Sequence, residues 1–219
     1  MSAIEITNVL VLTAVAFHAS GYLVRDELRL RILILSGTLV YLIYYFILPN
    51  GPLWDAIAAA CLIATINIYM ITILIVERTT IGMDAKQQTA FKSFETLTPG
   101  QFRKLYRLAA HNQADGPRQI VKGGERQERL FFVNTGSVEI GHGAKRTKID
   151  APFFAGEVGF ILEETASADV FVKKGAEYLS WDYEDVRALM RRSNNFEHAL
   201  IALFSKDLAR KLGRSTPKG

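Results

Sequence analysis

The sequence holds one cysteine, Cys61, in 219 residues. An intrachain disulfide framework and a cysteine-built zinc site are therefore excluded. The four histidines are scattered and none has the HExxH type of spacing that places two imidazoles on one helix face, so no metal site is expected. No Ser/His/Asp or Cys/His arrangement and no phosphate-binding P-loop occurs, so the expectation is a protein without catalysis. Charge is scarce at the front. Residues 1–76 carry only Arg25, Arg29 and Arg31 against Glu5, Asp26, Glu27 and Asp55, and residues 56–76 carry none. The remainder is mixed in sign. The formal net charge of +4 is too small and dispersed for a nucleic-acid partner, though it suits a domain held near an anionic bilayer.

What is present at the front is hydrophobicity. Ile6 to Val24, Ile32 to Leu48 and Ala56 to Val76 are three apolar runs, each close to the ~20 residues a helix needs to cross a bilayer. In hydrocarbon a chain must satisfy its own backbone, and a helix does so. The first run has no basic segment before it and no small-residue cleavage site after it, so it does not read as a signal peptide. The expectation is a three-helix transmembrane region over 1–76, with the lipid bilayer as a partner. The first link, Arg25 to Arg31, carries all three cations and the second, Pro49 to Asp55, has none. Cation-rich links stay on the cytoplasmic side, so the N-terminus is expected outside and the C-terminal domain in the cytoplasm. Ala56, Ala60 and Ala64, with Asn67 near the same face, form a small-residue stripe suited to close helix packing. It fits packing within the chain or a homodimer.

Residues 77–98 read as a helical connector, with Phe91, Phe94 and Leu97 at spacing three, and residues 99–219 as one domain. Thr98-Pro99-Gly100-Gln101 is a helix start, Thr98 as cap and Pro99 in the first turn. From Gln119 short strands alternate with glycine turns: Ile120-Val121, Leu130 to Val133, Ser137 to Ile140, Val170 to Val172 and Tyr178 to Trp181, with turns at Gly123-Gly124, Gly136 and Gly141-His142-Gly143. Many short strands of this kind predict a small β-barrel or jelly roll. After Trp181, Val186, Leu189 and Met190, then Phe196, Leu200, Leu203, Phe204 and Leu208, recur at helical spacing. The fold class expected is three transmembrane helices followed by an α+β domain, a β jelly roll with flanking helices.

This order, with Gly123-Gly124-Glu125, Leu130 to Val133, Gly136-Ser137-Val138-Glu139 and Gly156-Glu157, resembles a cyclic-nucleotide-binding domain. Three apolar helices ahead of it, Leu179-Ser180-Trp181, and Lys206-Asp207-Leu208 before Lys211-Leu212 resemble the Popeye-domain family in particular, in a short bacterial form. The resemblance implies a membrane-anchored cyclic-nucleotide sensor with cAMP as candidate ligand, no cofactor, and protein partners of unknown identity. The competing reading is a ligand-free membrane scaffold on a degenerate cyclic-nucleotide fold.

The resemblance also implies a phosphate cassette. It maps to Gly156, Glu157, Val158, Gly159 and Phe160, with Glu157 accepting from the ribose 2′-hydroxyl and the amides after it facing the phosphate. With Val170 as the closing valine of the cassette, the usual phosphate-pairing arginine falls at Ala166. No Lys or Arg occurs from Pro152 to Val172. Thr165 and Ser167 are left as neutral donors, about half as strong as a charge-assisted bond. Phe153, Phe154 and Phe160 are expected in the core rather than against a base.

Overall fold

The computed structural model describes residues 3–142 and 145–215. The chain divides into two compact units at Thr79/Thr80. The first holds α1 (Ala3–Leu23), α2 (Glu27–Phe46) and α3 (Trp54–Arg78), and each is long and apolar enough to cross a membrane. α2 packs against both other helices. Asp26 caps α2 by accepting from the Arg29 amide at 3.0 Å, and its other oxygen pairs with Arg78 at 2.8 Å. That pair ties the α1–α2 link to the far end of α3. α1 and α2 approach closely at Gly37, where a Cβ would lie 2.3 Å from His18 Nδ1. Ala60, Ala64 and Asn67 are buried within the unit, and the Asn67 amide is spent on its own helix at Ile63 O. Two alanines of the small-residue stripe are thus packed inside the chain, while Ala56 is only partly buried.

The second unit begins with α4 (Ala85–Phe91), capped by Asp84, and α5 (Pro99–Leu108). Thr98 and Gln101 close a reciprocal capping box at the start of α5. The strands are β1 (Ala110–Gln113), β2 (Arg118–Val121), β3 (Arg129–Thr135), β4 (Ser137–His142), β5 (Lys145–Asp150), β6 (Phe153–Ala155), β7 (Asp169–Val172) and β8 (Glu177–Asp182), with α6 (Glu157–Leu162) between β6 and β7, and α7 (Tyr183–Arg192) and α8 (Asn194–Ser215) at the end. They form two four-stranded antiparallel sheets, ordered β1-β8-β3-β6 and β2-β7-β4-β5.

Alternation along β3 explains the layering. Phe131 and Val133 face the second sheet and join Val121, Val138, Val170, Val172 and Tyr178. Leu130 and Phe132 face the helices and join Phe94, Phe102, Leu179, Trp181, Leu200 and Phe204. Phe94 is the hub of this second core, with ring centroids of Phe102, Phe132 and Phe154 at 5.0, 4.9 and 5.2 Å. Helix α4 stops at Phe91. Phe94 and Leu97 follow in tight turns whose amides bond back three residues, and both side chains are buried in the core rather than along a connector helix.

The segment before α5 is also fastened to α8. Thr96 Oγ1 donates to Ala199 O at 2.7 Å, and the Glu95 carboxylate pairs with Lys206 and, at 3.2 Å, with Arg210. Hydrogen bonds from those two cations hold the Glu95 carboxyl below its usual range.

Three strands escape the sequence pattern. β1 (Ala-His-Asn-Gln) and β5 (Lys-Arg-Thr-Lys-Ile-Asp) carry few apolar residues, and β5 is an exposed edge whose cations discourage pairing with another chain. β6 is only Phe153 to Ala155. Gly141 and His142, expected in a turn, continue β4, paired with Arg146 and Lys145, and Gly143 lies outside the described residues.

Candidate functional site

The turn from β6 into α6 is built on Gly156. Its φ of +88° is in the left-handed region, and a Cβ would lie 2.5 Å from the Arg129 carbonyl oxygen. Only glycine lets the chain pass β3 here and turn at once into a helix. The Gly156 carbonyl accepts from the Tyr183 hydroxyl at 2.6 Å and from the Phe160 amide at 3.0 Å. Burial first, and then the nearby Glu157 charge, push the Tyr183 hydroxyl up to about 12, so it stays a donor at any physiological pH.

A cleft of about 400 Å³ opens beside this turn. Its walls are mainly apolar: Val121, Ile140, Ile149, Phe153, Ala155 and Val170. Of the residues implied by the sequence, Gly156, Glu157, Val158, Gly159 and Ser167 line it, and so does Ala166. Phe160 does not. It is buried against Tyr183 and Phe204 in the helix-side core, at centroid distances of 5.1 and 6.0 Å. Thr165 does not either: it is exposed and bridges to Arg126. Phe153 and Phe154 are both buried in the core, as expected, and both also form part of the cleft wall. Ala166 is only 9 % exposed, with its backbone bonded in both directions to Gly124 and Glu125 of the β2–β3 turn.

Glu157 is 4 % exposed. A carboxylate so buried needs a partner, and the partner is Lys211 of α8, with Nζ at 2.5 Å from Oε1. The same ammonium donates to Phe154 O at 2.7 Å, lies 2.7 Å from Asp207 Oδ2 and sits 4.3 Å from the Phe153 ring centroid. The Asp207 contact is an ion pair without a directed hydrogen bond, because Oδ2 is buried and accepts none. Lys211 is the functional group that reading by cassette misses. The available signal is Asp207 and Lys211 at i, i+4 flanking the apolar Leu208, which gives the last helix a charged stripe beside its core face. Nothing in the sequence says that this stripe meets Glu157, which lies far away along the chain. Among the described residues no cluster of His, Cys, Asp and Glu is arranged to hold a metal ion.

No family model and no curated protein matches the sequence. Solved structures do match the second unit. A cyclic nucleotide-binding domain from Methylobacillus flagellatus KT superposes with a TM-score of 0.53 at 15% identity, over 59% of this chain and 79% of that one. A protein from Geobacter metallireducens GS-15 described as a cyclic nucleotide-binding protein gives 0.51 at 13% identity, over 59% of this chain and 99% of that one. The catabolite activator protein of Thermus thermophilus is matched over 59% of its length, with a TM-score of 0.44 and 23% identity. This chain therefore spans little more than half of that regulator. The β-sheet unit has the fold of cyclic-nucleotide-binding domains. The finer resemblance to Popeye domains rests on the sequence alone.

Proposed function

We propose that the chain is a membrane-anchored receptor for a cyclic nucleotide, signalling by binding and not by catalysis. The observation that carries this reading is the buried Glu157 carboxylate, held on the wall of an apolar cleft by the Gly156 turn. A base fits apolar walls, a ribose hydroxyl needs a buried acceptor, and the cleft offers both. In this reading Gly156, Glu157, Val158, Gly159 and Ser167 meet the sugar and phosphate. Thr165 and Phe160 support the cassette from outside. The three apolar helices hold the unit at the bilayer, with the N-terminus outside and the sensor in the cytoplasm. The alternative, a ligand-free scaffold, is favoured by Ala166 standing where a cation is usual.

Equilibrium binding of cAMP and cGMP to the full chain in detergent micelles separates the two. Saturable binding that Glu157→Ala abolishes is expected. The absence of binding for both nucleotides makes the protein a scaffold.

The orientation has its own test. In a Cys61→Ala background, a membrane-impermeant maleimide should label intact cells carrying Asn50→Cys and leave Lys174→Cys unlabelled. Asn50 lies in the α2–α3 link and Lys174 is exposed before β8. The reverse pattern inverts the topology.

A further inference from the structure

We propose that Lys211 is the cation that receives the ligand's phosphate, so that the anion site is completed from the last helix and not from the cassette. This rests on the cyclic-nucleotide reading of the same cleft.

Among the described residues lining the cleft, Lys211 is the only cation. Its ammonium sits 2.5 Å from Glu157 Oε1, the acceptor assigned to the sugar hydroxyl. In a 3′,5′-cyclic nucleotide that hydroxyl and the 3′ phosphate oxygen stand on adjacent ring carbons. A group touching the carboxylate is therefore already beside the phosphate. The exchange leaves the buried carboxylate hydrogen-bonded. The incoming hydroxyl donates to Glu157 in place of the ammonium, and the ammonium turns to the phosphate, with Asp207 still next to it on α8.

The turn gives up the bond to the Phe154 carbonyl along with the one to Glu157, and two features ease it. Its contact with Asp207 Oδ2 is not a directed hydrogen bond. Its side chain is 27% exposed and so not sealed in the core. Without Lys211 an anionic ligand would meet the Glu157 carboxylate with no cation among the described lining residues to offset it, and binding would be opposed. An arginine at position 166 is then unnecessary, and Ala166 keeps that wall thin and apolar.

The test compares cAMP with adenosine, which carries the same base and 2′-hydroxyl without the phosphate. Both are measured on the full chain in micelles by competition against a fluorescent cyclic nucleotide. Lys211→Met is expected to weaken cAMP about tenfold to a hundredfold, the value of one charge-assisted hydrogen bond, and to leave adenosine unweakened. Lys211→Arg should keep cAMP binding within a few-fold. In the parent protein, added salt should weaken cAMP more than adenosine. This last comparison needs no variant, and it decides the matter should Lys211→Met lower the melting temperature. Equal losses for both ligands would make Lys211 a structural residue, and tighter binding of both would make it a plug. Either outcome, or identical salt dependence of the two ligands, overturns the assignment while the nucleotide reading stands. No binding of either ligand by the parent chain overturns both.

Discussion

Phe94→Ala is expected to cost the β-sheet unit about 3–5 kcal/mol. The side chain is 1% exposed and its ring meets Phe102, Phe132, Phe154 and Trp181. Those four come from α5, β3, β6 and β8, so no single element can move to fill the hole, and most of the cavity should persist. A domain of this size is held by about 5–15 kcal/mol, and the substitution removes a large part of it. Urea unfolding of a fragment beginning at Thr80, followed by Trp181 fluorescence, should show a lower midpoint with an unchanged slope. A loss below about 1 kcal/mol would show that the helices collapse onto the gap. The same packing places the start of the folding unit. Met83, Ala90, Phe94 and Leu97 all belong to the helix-side core. A fragment beginning at Pro99 lacks all four and is expected to stay unfolded by circular dichroism, while the one beginning at Thr80 folds.

Gly156→Ala should damage stability and binding together. Two costs act at this position. A left-handed conformation costs an alanine about 1–2 kcal/mol, and the new Cβ would sit 2.5 Å from the Arg129 oxygen. That oxygen belongs to β3, which is paired on both sides, so the cassette must be the part that yields. A loss of about 2–4 kcal/mol in total is expected, within the range known for backbone strain combined with a core clash, and cyclic-nucleotide binding should disappear with it. Gly124→Ala is the control. Its φ is +78°, and a Cβ there meets nothing within 4 Å, so only the conformational cost applies. Equal melting-temperature shifts for the two variants would mean that the approach of Gly156 to β3 is not what fixes the cassette.

Most of the architecture is legible in the sequence because it rests on periodicity. The three apolar runs, the strands from Leu130 and Val170, and the helical spacing after Trp181 each carry a local signal that tertiary contacts then confirm. The strands that escape notice are those whose function in the fold is polar. β5 is charged because it is an edge, and β1 presents His111 and Asn112 rather than a hydrophobic face. Gly156-Glu157 is reached through the resemblance to cyclic-nucleotide-binding domains, and the structure places a left-handed turn and a buried carboxylate there. Phe160 falls on the wrong side of the cassette because α6 is a helix of only six residues, and one residue of rotation decides which face meets the cleft; Thr165 lies beyond that helix, where its backbone bridges to Arg126. Lys211 could not be placed by any local rule. Its partner is a carboxylate on a different element, and which helix closes over the cleft is a property of the packed fold.

The fastening of Thr96 to Ala199, and of Glu95 to Lys206 and Arg210, makes two segments of the β-sheet unit mechanically one. The segment between α4 and α5 and the last helix, α8, are riveted side by side. Lys211 stands on that same helix, little more than one turn beyond Lys206. A displacement of α8 at the cleft must therefore either shear those rivets or carry the segment between α4 and α5 with it.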